Sequence, residues 1–286
     1  VKLMDHDNIN NPTPLSYWQT SMDAGQDFMD QVTDYPVDEC DERMFPLHNL
    51  VAEAGVEVAF SDTKILPGLD RLFWLREGLV TQFIAAAREM NRIGWMLKIE
   101  DAYRSRAMQK GLALKQGLFD TVMTRLMWEN GGTLPSQEVI RDRLGVLIAR
   151  CPKTGTHMSG SALDISVLIR ANGKEIDRGA PYLEMSELTP MESPFVSDEC
   201  RRNREAITAI MSGHGFIAYP YEFWHYSAGD AIAELLIGSG TPGRYGAVDM
   251  DEITGVLTAI DNPTEPMNTD EEISARFQEA LERLDD

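Results

Sequence analysis

The sequence predicts an α+β fold in which a small antiparallel sheet is flanked by helices. Helix-like and strand-like segments are segregated along the chain, whereas a doubly wound parallel sheet requires their regular alternation. From residue 162 onward the strand-like segments are short and are joined by turn signals, which is typical of hairpins. The 286 residues are enough for one large domain or two small ones with a sizeable core.

Hydrophobic periodicity defines the elements of the first half of the chain. Leu79, Phe83 and Met90 recur at helical spacing, Gly94 ends that helix, and an alternating apolar segment follows as a strand. The elements expected here are a helix over 15–32, a strand over 56–60, a helix over 76–93, a strand over 95–99 and helices over 105–128 and 136–149.

The second half of the chain contains shorter elements. Asn172-Gly173 predicts a hairpin turn after a strand rich in Ile, Val and Leu, and Ser197 or Asp198 caps the next helix. The expected order is a loop over 151–160, a strand over 162–169, an irregular segment over 178–196, a helix over 198–212 and strand-like segments over 216–219 and 223–226.

The C-terminal part of the chain differs in character from the rest. Thr269-Asp270-Glu271-Glu272 is a capping box, which opens an amphipathic helix. The apolar face of this helix must dock on the main domain or on another subunit, so a homo-oligomer through this helix is one hypothesis. We therefore divide the chain into an N-terminal arm with a helix (1–43), a main domain (44–228) and a C-terminal extension (229–286).

The net charge of the chain excludes some classes of binding partner. Hydrophobic residues make up 43% and charged residues 25%, as in ordinary globular proteins, but the net charge is −20. A surface this acidic repels nucleic acid and anionic membranes, and we expect neither as a partner.

No apolar run is long enough to span a membrane, and no signal peptide is visible. Because the chain opens with Val1 rather than Met, the cytoplasm and the periplasm or cell envelope both stay open as locations.

The three cysteines do not predict a cofactor. Cys40, Cys151 and Cys200 are widely spaced and form no C-x-x-C pair, so neither a zinc ribbon nor a thioredoxin-like redox site is indicated. Free thiols are the expected state, and a Cys151–Cys200 disulfide is the alternative.

Two distant stretches hold side chains suited to metal-assisted hydrolysis. Hydrolysis of a peptide bond requires an activated water and a stabilised oxyanion, and a zinc site with three protein ligands and one open position provides both. His157, Asp164 and His225 are the candidate ligands for one zinc ion per chain. Glu222 is the candidate general base, and Arg104 is the candidate cation for the oxyanion.

Local geometry limits this interpretation. His157 reaches Asp164 only if the loop between them folds back, which its glycines allow. Glu222 and His225 would point to opposite faces of an ideal strand, so both reach one metal only if the segment bends after Pro220.

These motifs resemble those of the zinc D-Ala-D-Ala peptidases, the group that contains VanX-type dipeptidases and VanY-type carboxypeptidases. The chain has His157-Met-Ser-Gly-Ser-Ala-Leu-Asp164 where the family has H-x-x-G-x-A-x-D, and Glu222-Phe-Trp-His225 where it has E-x-W-H. Asp101-Ala-Tyr-Arg104-Ser resembles the substrate-arginine segment of the dipeptidase branch, and the resemblance covers about residues 44–228. The family usually has Ser two positions before the first histidine, where this chain has Gly155, and Thr154 or Thr156 is the candidate substitute.

The resemblance implies a compact α+β fold shared with the Hedgehog N-terminal domain and a zinc peptidase domain over 44–228. It implies zinc bound by His157, Asp164 and His225. It also implies Glu222 as general base and acid and Arg104 near the scissile carbonyl. The implied reaction is hydrolysis of the D-alanyl-D-alanine dipeptide in bacterial cell-wall metabolism.

Other functions stay open on the sequence alone. A D,D-carboxypeptidase or endopeptidase acting on peptidoglycan stem peptides is the nearest alternative. A non-catalytic zinc-binding protein is another, but Glu222 argues against it because a binding module needs no base beside the metal. An assembly protein that has kept a peptidase core would use the arm and the C-terminal extension as interaction surfaces.

Overall fold

The structure is a computed structural model, and it describes residues 12–284. The helices of this part of the chain are α1 (Pro14–Asp34), α2 (Leu47–Ala54), α3 (Glu77–Arg92), α4 (Arg106–Ala113), α5 (Gln116–Glu129), α6 (Gln137–Leu147), α7 (Asp198–Gly213), α8 (Ala231–Ile237) and α9 (Asp270–Leu284). The strands are β1 (Met44–Pro46), β2 (Val58–Phe60), β3 (Trp74–Arg76), β4 (Trp95–Asp101), β5 (Ala162–Ile169), β6 (Ile217–Ala218), β7 (His225–Ser227), β8 (Val248–Met250) and β9 (Leu257–Ala259).

The central sheet has five strands in the order β2-β4-β5-β7-β6. The pairs β4–β5, β5–β7 and β7–β6 are antiparallel, and the edge strand β2 pairs with β4 in parallel. The α+β class is therefore confirmed, with a sheet that is mixed at one edge rather than purely antiparallel. The turn at Asn172-Gly173 returns the chain along β5, since Ile176 N donates to Val167 O at 2.8 Å.

Helices α3 and α7 pack against this sheet. Phe83 and Met90 of α3 and Ile207 and Met211 of α7 are buried together with the apolar side chains of β4 and β5. The helical spacing of apolar residues in α3 therefore marks the face of the helix that contacts the sheet.

A second core is built from helices. Trp18 of α1, Phe119 of α5, Leu144 of α6 and Phe277 of α9 are all buried in it. Helix α9 thus docks on α5 of the same chain. This docking covers the apolar face that suggested a homo-oligomer, and self-association through α9 stays a prediction.

Helix α1 is tied to the helical core by a polar contact as well. Trp18 Nε1 donates to Glu129 Oε2 at 2.9 Å, and Arg143 Nε donates to the same carboxylate at 3.1 Å. Most of the predicted arm (1–43) is therefore packed onto the helices, while its first eleven residues lie outside the described part of the chain. The division into three regions stays a prediction.

The single helix predicted over 105–128 is wrong, because the structure has two helices there. Leu114 and Lys115 separate α4 from α5, and Lys115 has an extended backbone with φ −64° and ψ 118°. Gly111 and Gly117 flank the break, and each costs a helix about 1 kcal/mol relative to alanine. The break brings Lys115 to the cavity described below.

The structure also bears on the predicted disulfide and on membrane-spanning helices. The Cys151–Cys200 disulfide is wrong, because both residues are buried free thiols, one in the loop before β5 and the other on α7. Every helix within residues 12–284 is too short or too polar to cross a bilayer.

A buried arginine holds the irregular segment 178–196 in place. Arg204 of α7 donates to the main-chain oxygens of Arg178 (2.7 Å), Pro190 (2.7 Å) and Leu188 (2.8 Å). This segment forms no helix or strand, so the guanidinium supplies donors that regular secondary structure would otherwise provide.

We expect Arg204→Met to lower the free energy of unfolding by about 2–4 kcal/mol, because these three main-chain acceptors and Met191 O, at 3.2 Å, lose a charged donor while the apolar stem is kept. Arg202 is exposed on the same helix, and Arg202→Met is the matched control with a change of less than about 0.5 kcal/mol. Denaturant unfolding of both variants measures the difference. Equal changes in the two variants would show that Arg204 does not hold the segment.

Candidate metal centre

A tight turn places His157. Thr156–Ser159 form one 3₁₀ turn, and Gly160 follows with φ 69°, a left-handed conformation that favours glycine. The turn reverses the chain before β5, so His157 Nε2 lies 3.1 Å from Asp164 Oδ1. The loop therefore folds back, as convergence of these two side chains requires.

The sheet places His225 opposite Asp164. The two are register partners in the β5–β7 pair, and His225 Nδ1 lies 2.9 Å from Asp164 Oδ1. One carboxylate oxygen thus faces both imidazole rings. The candidate ligand atoms of His157, Asp164 and His225 all lie within 4.8 Å of one another, and all three side chains are buried.

Glu222 lies in a turn before β7. That strand begins at His225, two residues later than the predicted strand over 223–226, so the alternation of an ideal strand does not separate Glu222 from His225. The main-chain N–H of His225 donates to Glu222 O at 3.1 Å, and both side chains line one cavity. Burial raises the pKa of Glu222 to about 8, although the charge of His225 opposes this shift.

In each histidine ring, the nitrogen that faces away from Asp164 makes a hydrogen bond, and this arrangement suits the triad to bind a metal ion. His157 Nδ1 donates to Ala102 O at 2.5 Å, and His225 Nε2 donates to Thr156 Oγ1 at 3.0 Å. When the outer nitrogens carry the protons, the lone pairs of His157 Nε2 and His225 Nδ1 are available to a metal ion beside the carboxylate. Without a metal ion, a proton on either inner nitrogen forms a hydrogen bond to Asp164 Oδ1 instead. Two such lone pairs and a carboxylate oxygen are a donor set that zinc accepts, and outward bonds of this kind fix metal-ligating histidines.

The three side chains of the triad shift one another's pKa values. Burial raises the pKa of Asp164, but the charges and hydrogen bonds of His157 and His225 hold it well below the usual range. Burial and the nearby Arg104 lower the pKa of His157. Burial also lowers the pKa of His225, but the hydrogen bond to Asp164 and the negative charges of Asp164, Glu222 and Asp230 together outweigh burial, so the net pKa is raised. Asp164 is therefore anionic at neutral pH, as a metal ligand must be.

Arg104 lies beside the triad with a fixed orientation. Its Nε donates to Asp101 Oδ2 at 2.7 Å, its Nη2 to Asp164 Oδ2 at 3.2 Å and its Nη1 to Gln109 Oε1 at 3.2 Å. Arg71 Nη1 lies 3.1 Å from the same oxygen of Asp101. The guanidinium is thus held by three side chains while it borders the cavity.

Several residues at this centre were not found from the sequence. Tyr182 donates its hydroxyl to Asp164 Oδ2 at 2.9 Å, but it lies in the irregular segment, where no periodicity marks it. Arg71 and Gln109 likewise carry no sequence signal for their contacts with Asp101 and Arg104. For Thr156 the sequence contains one indication, because this residue precedes the candidate ligand His157. Its hydrogen bond to His225, however, depends on the fold.

The centre opens into one cavity of about 340 Å³, which is at the small end of the range for ligand sites. All five candidate residues line it, and so does Trp224. Most of its apolar lining comes from α4, α5, α6, the irregular segment and the loop between β2 and β3. These apolar residues include Ile65, Leu112, Leu118, Val146, Leu183 and Met185.

Comparisons with known proteins match this part of the chain. Residues 74–239, more than half of the chain, match the model of the peptidase M15 family, described as D-Ala-D-Ala dipeptidase. A D-alanyl-D-alanine dipeptidase of Escherichia coli (strain K12) is 35% identical over 81 residues, which are 28% of this chain and 42% of that protein. One of Synechocystis sp. (strain ATCC 27184 / PCC 6803 / Kazusa) is 27% identical over 179 residues, 55% of this chain and 70% of that protein.

A solved structure, that of the LdcB LD-carboxypeptidase, is similar over 78% of this chain and 81% of that chain, with a TM-score of 0.34 and 16% identity. A similarity this weak adds nothing to the assignment. The family match includes all five candidate residues, while α1, the β8–β9 hairpin and α9 lie outside it. The match over residues 74–239 shows that the chain belongs to the peptidase M15 family.

Proposed function

We propose that the chain is a zinc-dependent peptidase that hydrolyses the D-alanyl-D-alanine dipeptide. The observation that carries this proposal is the convergence of His157, Asp164 and His225 at one cavity with Glu222 and Arg104 beside them. The names of the curated relatives, both D-alanyl-D-alanine dipeptidases, support the choice of substrate.

The mechanism divides between the metal and the side chains. Held by His157, Asp164 and His225, zinc supplies Lewis-acid chemistry, which acidifies water and polarises a carbonyl group. Glu222 takes the proton of the attacking water and returns a proton to the leaving amine. Arg104 donates hydrogen bonds to the carbonyl oxygen as negative charge develops on it.

The environment of Glu222 suits a residue that takes up and releases a proton. A pKa of about 8 in the metal-free protein means that the carboxyl group is mostly protonated at neutral pH. A divalent cation at the triad lowers the pKa of a neighbouring carboxyl group. With the metal site occupied, Glu222 would be in the ionised form that a general base requires.

A peptidase acting on longer stem peptides is the second candidate. Several large apolar side chains line the cavity, among them Leu112, Leu118, Leu183 and Met185. A D,D-carboxypeptidase or endopeptidase would use this surface for additional residues of the peptide.

The test is the release of D-alanine from D-Ala-D-Ala by the purified protein, with the metal content measured on the same sample. Turnover with about one zinc per chain that is lost on chelation supports the proposal. Zinc without turnover of the dipeptide, but with turnover of a stem peptide, favours the second candidate. A protein with neither zinc nor turnover contradicts both.

Thr156 supports the candidate ligand His225, and its removal tests the zinc site. Thr156→Val keeps the shape of the side chain but removes the acceptor of His225 Nε2, so we expect zinc affinity to fall by about 10- to 100-fold. Thr156→Ser restores the acceptor and should restore the affinity. Thr154→Val is the control, because the Thr154 hydroxyl donates to Cys151 O instead. Competition with a chromophoric chelator measures all three, and unchanged affinity in Thr156→Val would argue against the assigned role.

A further inference from the structure

One cation in the active-site cavity has no carboxylate partner. Arg71 and Arg104 both pair with Asp101, at 3.1 and 2.7 Å, and Arg104 also contacts Asp164. Lys115 lines the same cavity, and no carboxylate of residues 12–284 lies within 4.0 Å of its ammonium group. Its hydrogen-bond partner is the main-chain oxygen of Ile65 at 3.2 Å.

Helix stability does not explain a lysine at this position. Lys115 is the N-cap residue of α5, and its side chain makes no capping hydrogen bond. A cation at a helix N-terminus opposes the helix dipole, and Ser, Thr, Asp or Asn would cap the helix better. The bond to Ile65 O uses one of three ammonium donors, so two remain for a ligand.

The surroundings of Lys115 strengthen its attraction for an anion. Ile65, Leu112, Leu118 and Met185 line the cavity around it, and the first two and the last are buried. An ion pair gains more in such apolar surroundings than in water. On a chain with a net charge of −20, an unpaired cation in a cavity attracts a small anion that most of the surface repels.

We propose that Lys115 binds the terminal carboxylate of the peptide substrate and thereby selects peptides that end close to the scissile bond. This inference rests on the proposed function, which supplies a small peptide with a free carboxyl group. The arginines of the cavity are already neutralised by Asp101 and Asp164, so they compete poorly for this group. The triad and Lys115 line the same cavity, and its volume of about 340 Å³ has room for one small peptide.

The experiment compares D-Ala-D-Ala with its C-terminal amide, which lacks the negative charge. Binding of both is measured by calorimetry on the zinc-loaded Glu222→Gln protein, and kcat/KM is measured on the protein with Glu222 intact. With Lys115 present, we expect the acid to be preferred over the amide by about 10- to 100-fold, the range for a hydrogen bond between charged groups. Lys115→Met should abolish this preference, Lys115→Arg should keep most of it, and Lys174→Met, at an exposed lysine outside the cavity, should not alter it.

The outcomes separate this inference from the proposed function. Binding with a carboxylate preference that depends on Lys115, but without turnover, supports the inference and contradicts the function. Turnover with an unchanged preference in Lys115→Met overturns the inference alone. If Lys115→Met loses equal affinity for the acid and the amide and also has a lower melting temperature, Lys115 only holds the loop around Ile65. This result also overturns the inference. Binding of neither peptide overturns both.

Discussion

We expect Glu222→Gln to remove the proposed hydrolysis of D-Ala-D-Ala and to leave zinc binding intact. The amide has nearly the shape of the carboxylate but cannot take the proton of water, so we expect kcat to fall by about 1,000-fold or more. Glu222 is not one of the three candidate ligands, whose atoms converge within 4.8 Å without it. Zinc content should therefore stay at about one per chain.

The measurement is a progress curve of D-alanine release with metal analysis on the same preparation. Glu205 is exposed on α7, and Glu205→Gln serves as the control for loss of one negative charge. Near-normal turnover by Glu222→Gln would refute the assigned mechanism. Loss of zinc together with turnover would instead make Glu222 a ligand.

We expect Asp164→Asn to abolish zinc binding, and turnover with it. Asp164 Oδ1 faces both histidine rings, at 3.1 and 2.9 Å, and it is the sole anion of the candidate ligand set. A neutral amide at this position loses the attraction for the cation and can turn an N–H group toward the rings. We expect the zinc content after dialysis to fall from about one per chain to near zero.

The same substitution also affects stability, because Asp164 Oδ2 accepts hydrogen bonds from Arg104 and Tyr182. Arg104 keeps Asp101 as a partner, so we expect a loss of about 2–4 kcal/mol in the free energy of unfolding rather than collapse of the fold. Asp249→Asn, which breaks the exposed pair with Arg106, is the control and should change this energy by less than about 1 kcal/mol. A folded Asp164→Asn protein that retains zinc would exclude Asp164 as a ligand.

The elements that carry strong local signals were predictable. Helix α3 shows apolar residues at helical spacing and ends before Gly94, and the residues of β5 form a nearly continuous apolar run. These patterns reflect burial on one face of a helix or between neighbouring strands, so they can be read without knowledge of the partners. The five candidate residues were likewise found from motif spacing, because each motif lies within ten residues.

The environment of the candidate site was not predictable in the same way. Tyr182, Arg71 and Gln109 contact the centre from segments in which no pattern distinguishes them from surface residues. The prediction of a single helix over 105–128 also missed the break between α4 and α5, which places Lys115 at the cavity. Glycine lowers helix propensity only modestly, so tertiary packing decides whether such a helix bends.

The sequence by itself determined the α+β class, the order of most elements and the identity of the candidate ligands and base, because these depend on local periodicity and short motifs. The tertiary structure alone decided that His225 is the register partner of Asp164, that Glu222 lies in a turn and that one lysine is left unpaired in the cavity. Pairings of this kind join residues that are distant in the sequence, as with Asp164 and His225 at a separation of 61 and Lys115 and Ile65 at a separation of 50. Hydrogen-bond geometry and charge pairing at that range are set by packing, and no local pattern encodes them.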